Sequence, residues 1–346
     1  MAENNIIMSS RVRLARNYED LPFDVAHRPE YAAMCVARTT GALNIAQAGE
    51  GFHLIRLRDL TDNERRSLEE SRLVSHDLLS SPETAAVMIR DSDAVSVMIN
   101  EDDHLRIQAV RPGLDLLSAA AACFRIDDAL SRQVVFAFDD QLGYLTACPT
   151  NTGTGMRASL LMHLPMLTLL KQMGNVGQIV AKVGLNIRGV YGEGAEALGN
   201  IYQVSNQVTL GRTEQEIMST VTAVGHQLTD MELALRDKSL HATRAQLEDS
   251  IFRAWGIMKH ARILPLNEFF KHWSGVRLGA SMGLLSTSLD TLDAMLDQVQ
   301  EAHLRAYAET PLEGVALDEL RASRVRRMLS SRGSAPTTPQ EGHRPS

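Results

Sequence analysis

The chain has 346 residues, of which 44% are hydrophobic and 22% charged, an ordinary balance for a globular protein with room for one large domain and a smaller one. Its formal net charge of −7 argues against a general nucleic-acid binder, no apolar run approaches a membrane span, and the first residues lack a signal-peptide core. Cys35, Cys123 and Cys148 include no CxxC pair, which speaks against zinc and against a disulfide framework, so a reducing cytoplasm is expected.

In chain order, SSRVRLARN at 9–17 puts Arg11 and Arg13 on one side of the backbone if it is extended, with Arg16 further along. Residues 29–49 read as a helix. Residues 51–60 alternate like a half-buried strand, and Thr61 is placed to cap a helix over 62–79. Residues 93–110 give a hairpin signal around the polar turn from Glu101 to His104, and a helix follows over 114–132. A second hairpin is expected from 133–138 and 143–148. The central stretch, 144–165, reads as a strand ending at Cys148, a Gly- and Thr-rich loop, and a helix opening near Met156 with Arg157 in its first turn. Such a helix start offers free N–H groups and a positive dipole end to an anion, although the spacing is not that of a Walker A loop and an ordinary capping turn reads the same. Pro165 should kink or restart that helix.

Strands are expected at 184–190 and 201–210, on either side of a Gly-rich mobile loop at 191–200, and a long helix should run from 212 to about 236. Beyond 238 only helical patterns remain, and past Ser331 the composition predicts a disordered tail. The short hairpin connections imply antiparallel strands, hence an α+β domain with a largely antiparallel sheet flanked by helices, followed by a small helical domain.

Arg11, Arg13, Arg106, Arg157 and Arg188 all stand at the edges of predicted elements, beside polar turns. A guanidinium binds phosphate oxygens bidentately and keeps its charge, so five converging on one pocket would suit a triphosphate, whereas any one alone is an ordinary surface charge. Glu101, Asp102 and Asp103 form one acidic cluster; Glu193 and Glu196 form another. Either they are solvated turns, or they are carboxylates that hold a cationic acceptor beside the bound phosphate and accept its proton. The second reading is phosphoryl transfer to a guanidinium.

The stretches SSRVRLARN, INEDDHLRIQ, LGYLTACPTNTGTGMRASLLMHLP, RGVYGEGAEALGN and SNQVTLGRTE resemble, in order, the motifs of the ATP:guanidino phosphotransferases (phosphagen kinases), the family of creatine and arginine kinases. The closest branch is the bacterial protein-arginine kinases of the McsB type, and the resemblance runs from about 9 to 330. It implies a glutamine-synthetase-like catalytic domain over 1–236, a helical domain over 237–331 and a disordered tail over 332–346. Creatine and free-arginine kinases carry a helical domain before the first arginine motif, where this chain has eight residues.

The resemblance also implies ATP and Mg²⁺ as cofactors and assigns residues. Arg11, Arg13, Arg106, Arg157 and Arg188 match nucleotide-clamping arginines. The ATP-contacting stretches match Ser9, Ser10, Arg11, Val12 and Arg13; then Arg157, Ala158, Ser159, Leu160 and Leu161; then Arg188, Gly189, Val190, Tyr191, Gly192 and Glu193. His76 matches a nucleotide-binding histidine only in a shifted local sequence, with Asp77 as the rival. Glu193 matches one catalytic carboxylate, and Cys148 the active-site thiol, which a neighbouring helix N-terminus and arginine would favour as thiolate. Asp102 stands where the family carries its principal catalytic glutamate. It is one methylene shorter, and such misplacement can cost on the order of a hundredfold in rate. The allosteric phosphoarginine motif is matched by Asp318, Arg321 and Ala322 but not by Leu317.

The activity implied is phosphorylation of protein arginines in bacterial protein quality control and stress response. The implied partners are a second copy of the chain, a zinc-binding activator protein and a Clp-type chaperone-protease. The alternatives are a nucleotide-binding pseudokinase acting as a regulator, and a kinase of a small guanidino compound.

Overall fold

The computed structural model describes residues 5–23, 28–46, 50–90, 92, 94–191, 197–308 and 312–330. The first half runs β1 (Ile7–Arg16), α1 (Pro29–Ile45), β2 (His53–Arg56), α2 (Asp62–Glu70), α3 (His76–Leu79), β3 (Ala86–Arg90), β4 (Val95–Ile99), β5 (Leu105–Pro112), α4 (Leu116–Ser131), β6 (Phe138–Asp139) and β7 (Gly143–Tyr144). It continues through β8 (Met156–His163), α5 (Pro165–Leu169), α6 (Met173–Lys182), β9 (Leu185–Gly189), β10 (Ile201–Asn206) and the long α7 (Glu214–Ala242). Helices α8 (Arg244–His260), α9 (Leu266–Ser281), α10 (Leu289–Gln298), α11 (Glu301–Ala308) and α12 (Val315–Ser330) follow.

Eight strands form one sheet in the order β2-β3-β4-β5-β1-β8-β10-β9, every neighbouring pair antiparallel. The expected α+β architecture is therefore present. Side chains alternate across a strand, so each strand has two faces of different chemistry. Val12 and Leu14 of β1, Ile107 of β5, Leu160 of β8 and Val204 of β10 are buried together with apolar residues of α4 and α7, such as Ile126 and Leu228. A second core, around Phe269, Phe270, Trp273, Leu292 and Leu296, belongs to the C-terminal helices, where Trp273 Nε1 donates to the Leu292 carbonyl at 2.7 Å.

Four expectations need correction. Met156–His163 is a strand, not a helix. It lies between β1 and β10 with seven of its eight residues buried, and a strand covered on both faces reads as an unbroken apolar run that periodicity cannot tell from a buried helix. Pro165 then opens α5 at its first turn, where a missing N–H costs nothing. The helix expected over 62–79 is two helices. Thr61 caps α2 in a full capping box, but Arg72 takes a left-handed φ of +57° and the chain restarts at α3 under a Ser75 cap. The second hairpin shrinks to two short strands, and Cys148 sits in a loop instead of a strand. Finally, α7 continues past residue 236 to Ala242. The tail expected past 331 lies outside the described residues.

The glycines of the central loop serve close approach. A Cβ on Gly153 would lie 2.6 Å from the Thr209 carbonyl oxygen, and one on Gly155 2.6 Å from that of Ala15; both residues have positive φ. Gly153 N–H is already bonded to the Tyr144 carbonyl at 3.2 Å.

Candidate active site

The face of the sheet opposite the α4–α7 core carries the arginines, because period two and register leave no other choice. Arg11 and Arg13 are two apart on β1, and Arg13 stands opposite Arg157 of β8 on one side and Gln108 of β5 on the other. Arg106 is two residues from Gln108. Arg188 of β9 pairs with Gln203 of β10, whose side-chain oxygen accepts from Arg11 at 2.6 Å. All five expected arginines thus share one face, spread over four strands.

That face is electrostatically strained. Burial, then repulsion from Arg72, Arg106 and Arg157, pulls Arg11 down to about 10. Burial and the same kind of repulsion hold Arg13 well below its ordinary value, opposed by Glu101, and Arg157 is lowered by burial and by Arg106 and Arg188. Glu101 is the carboxylate paired into the cluster; it bonds Arg106 and accepts from the Ser75 hydroxyl. Arg13 Nε is buried without a partner. Clustered cations with an orphan donor are stabilised by a multiply charged anion.

The acidic turn is fixed on both sides of Asp102. Asn100 takes φ +63° and its amide donates to the carbonyls of Ala32 and Thr84. Asp103 Oδ1 accepts from Asn17 Nδ2 and from Ala147 N, each at 2.7 Å. His104 accepts from Tyr18 N at 2.9 Å and its backbone N–H donates to Asn17 Oδ1 at 2.8 Å. Glu101, Asp103 and His104 are buried, while Asp102 alone of the turn is exposed. Partial burial and the neighbouring Glu101 push its carboxyl above the usual range. The bond from Ala147 to Asp103 brings Cys148 beside this turn, with its Sγ 3.0 Å from Thr150 Oγ1. The helix N-terminus expected to act on Cys148 and Arg157 does not exist, since Arg157 is in a strand and a single 3₁₀ turn follows Cys148.

A cavity of about 270 Å³ opens at one end of the arginine row. Ser9, Arg11, Ser159, Leu161 and Val190, all from the stretches matched to ATP contacts by resemblance, line it. Ser10, Val12, Ala158 and Leu160 alternate with them on the opposite, core face, and Ser10 Oγ donates to the Gly113 carbonyl at 2.8 Å. Gly189 and Tyr191 flank Val190; the Tyr191 ring packs tilted against Phe270 with centroids 4.7 Å apart. His76 is exposed and paired with Glu69, and neither it nor Asp77 lines the cavity. Arg72, Gln108 and Gln203 do line it and were not anticipated. Alternation from Arg106 points to Gln108, but no local pattern marks Arg72. Gly192, Glu193 and Glu196 lie outside the described residues.

In the C-terminal helices, Arg321 is buried and donates to the carbonyls of Val299 and Leu264 and to Asp318. Ala322 and Leu317 are buried beside it.

A family model described as the C-terminal catalytic domain of ATP:guanido phosphotransferase matches residues 35–235, and one described as the protein-arginine kinase McsB C-terminal domain matches residues 244–340. A protein-arginine kinase of Moorella thermoacetica is 43% identical over 331 residues, covering 94% of each chain. One of Caldanaerobacter subterraneus subsp. tengcongensis is 39% identical over 332 residues, covering 95% of this chain and 98% of its own. A solved structure of the duplicated taurocyamine kinase from Schistosoma mansoni with bound transition state analog components gives a TM-score of 0.63 at 26% identity, over 72% of this chain and 37% of that one.

Proposed function

The chain belongs to the ATP:guanido phosphotransferase family, in its protein-arginine kinase branch, and on that premise we propose how its site works. It is a kinase that transfers a phosphoryl group from ATP to arginine guanidinium groups of proteins. The observation that supports the site assignment is the strained row of Arg11, Arg13, Arg106, Arg157 and Arg188 on one sheet face, next to the exposed carboxyl of Asp102.

The nucleoside enters the cavity between Ser9 and Val190, and its phosphates extend along the arginines. The acceptor guanidinium approaches from the Asp102 turn. Its nitrogen bonds the γ-phosphorus while the bond from that phosphorus to the β-bridging oxygen breaks. The nitrogen's proton passes to Asp102, and the products are phosphoarginine and ADP. A carboxyl held above its usual range is the better base, and the arginines stabilise charge spreading over the transferring oxygens. Glu193 is the second carboxylate of this proposal, on the sequence resemblance alone.

Mg²⁺ is the proposed metal. Among the described residues no group of three or more His, Cys, Asp or Glu side chains could hold a metal, so those residues offer no dedicated cage. The ion would arrive on the nucleotide, held by phosphate oxygens and water. Family membership also supports a cytoplasmic homodimer working in protein quality control with a zinc-binding activator and a Clp-type chaperone-protease. It supports the phosphoarginine site at Asp318, Arg321 and Ala322 more weakly, because Arg321 is already committed to two carbonyls. Among the described residues no helix is long and apolar enough to cross a membrane.

The test is phosphoarginine formation from ATP, Mg²⁺ and an unfolded arginine-rich protein, analysed at neutral pH. Wild type should give product, and Glu193→Ala and Asp102→Asn should lose it. The regulator reading draws on the pinned turn, whose neighbours Asn100 and Asp103 fix the backbone on both sides of the short Asp102. Nucleotide binding by wild type without product, unchanged by Asp102→Ala, would establish that reading instead, whereas strong activity restored by Asp102→Glu would show a damaged or attenuated active site.

A further inference from the structure

Three consecutive residues at the end of α2 are gripped by the C-terminal helices. The Glu70 carboxylate accepts from the N–H groups of Ala302 and His303 at 2.9 and 3.1 Å, the second and third residues of α11, and meets His303 Nδ1 at 2.7 Å. A carboxylate there satisfies helix-start donors and faces the positive dipole end. Ser71 Oγ lies 3.1 Å from His303 Nε2. Arg72 comes next, with its guanidinium 3.6 Å from Asp297 near the end of α10 and its backbone carbonyl accepting from Gln108 Nε2 at 2.9 Å.

Arg72 faces two ways. It lines the nucleotide cavity, and after burial it is the largest charge acting on Arg11. Burial opposes its own charge, yet Tyr191, Asp297 and Asp293 together hold it above its ordinary value. A sixth cation beside five others needs an anionic counterweight, and Asp297 supplies it from the helical part of the chain. The contact is loose: Asp297 Oδ1 and the nearby Tyr191 hydroxyl are both buried without a hydrogen-bond partner. Two buried polar atoms left without hydrogen bonds are costly, so the arrangement favours a rearranged, better-bonded state. The cavity wall around Arg72 is largely apolar, with Leu73, Ala94, Val110 and Leu161. A planar guanidinium over such a slot suits a flat aromatic base.

We propose that Arg72 is a nucleotide-binding residue that lies against the nucleoside end of ATP, and that Asp297 is its positioning residue, so that the C-terminal helices complete the nucleotide pocket. This rests on the nucleotide reading of the cavity given above, and it moves to Arg72 the contact that sequence resemblance suggested for His76.

The experiment is Mg·ADP binding to the full chain by calorimetry, with kcat and KM for ATP measured alongside. Arg72→Ala should raise the Kd and the KM about tenfold while kcat stays within about twofold; His76→Ala should change neither. Asp297→Asn should give a smaller rise of the same kind. In the Arg72→Ala background Asp297→Asn should add nothing, because contacting residues are not additive. The double variant also removes both half-buried charges at once, which guards against misfolding of either single one. Wild-type binding unchanged in Arg72→Ala, or effects that add fully in the double variant, would overturn the proposal. Binding is read without turnover, so a wild type that binds Mg·ADP but makes no phosphoarginine would defeat the kinase mechanism and leave this inference standing.

Discussion

Two sets of arginines, one buried and one half-buried, have opposite surroundings. In the C-terminal helices and along the sheet's flank each is matched: Arg277 with Asp293 at 2.7 and 3.0 Å and with the Asn5 carbonyl, Arg236 with Glu232 at 2.9 Å, and Arg16 with Asp127 at 2.9 and 2.8 Å. On the open sheet face Arg11, Arg13 and Arg157 face mostly other arginines. Burying a cation without a counterion is costly, so a paired arginine belongs to the architecture, whereas a group of half-buried arginines facing one another belongs to a ligand. The partner separates the two kinds, and exposure agrees: Arg16, Arg236 and Arg277 are buried, while Arg11, Arg13 and Arg157 are half-buried.

The sharpest way to break that contrast is to remove one member of each set. Arg277→Ala should cost about 3 kcal/mol of stability, since it orphans Asp293 and the Asn5 carbonyl, and denaturant unfolding would show it. Arg157→Ala should leave stability unchanged or raised, because a repelled charge is lost, while phosphoryl transfer falls by about a hundredfold. If Arg157→Ala destabilises as much as Arg277→Ala, the two sets do not differ in kind.

Ligand binding sharpens the same contrast. Mg·ADP at a hundred times its Kd should raise the unfolding free energy by about 2.7 kcal/mol in wild type. The gain should persist in Arg277→Ala and largely vanish in Arg157→Ala, which thermal unfolding would reveal.

The smallest effect concerns the acid beside the arginines. Asp102 is held above the usual carboxylate range, so the acid limb of kcat/KM should lie above about pH 4, with activity lost as pH falls through the raised value. For stability the sign is reversed. The folded state holds this proton more tightly than the unfolded one, so Asp102 favours folding below its ordinary value and that contribution is lost as pH rises through the raised one. An ADP-release assay across about pH 3–8 would place the limb, and a limb at or below the ordinary carboxylate value would show that Asp102 is not the base.

The sequence makes much of this legible, for identifiable reasons. The hairpin of β4 and β5, the cap at Thr61 and the shared side of Arg11 and Arg13 follow from turn chemistry and period two, which are local. Met156–His163 misleads because a central strand's pattern is erased by burial on both faces. Arg72 is silent for a different reason. Its left-handed bend occurs at a residue type that rarely adopts one, and its partner Asp297 is distant in the chain, so only the docking of α10 gives it meaning.

The placement of β1 at the middle of the sheet also sets a schedule. Ser9 pairs with Pro112 on one side and with Leu161 on the other, so the strand holding Arg11 and Arg13 is made long before either neighbour. At about 5–20 residues per second of synthesis, it waits on the order of ten seconds with both edges open. Non-local pairing of this kind is slow to form and exposes apolar strand to aggregation in the interval. The arginine-bearing sheet face is therefore assembled late during synthesis, and a nascent chain cut short before β8 would lack one of the two partners of β1.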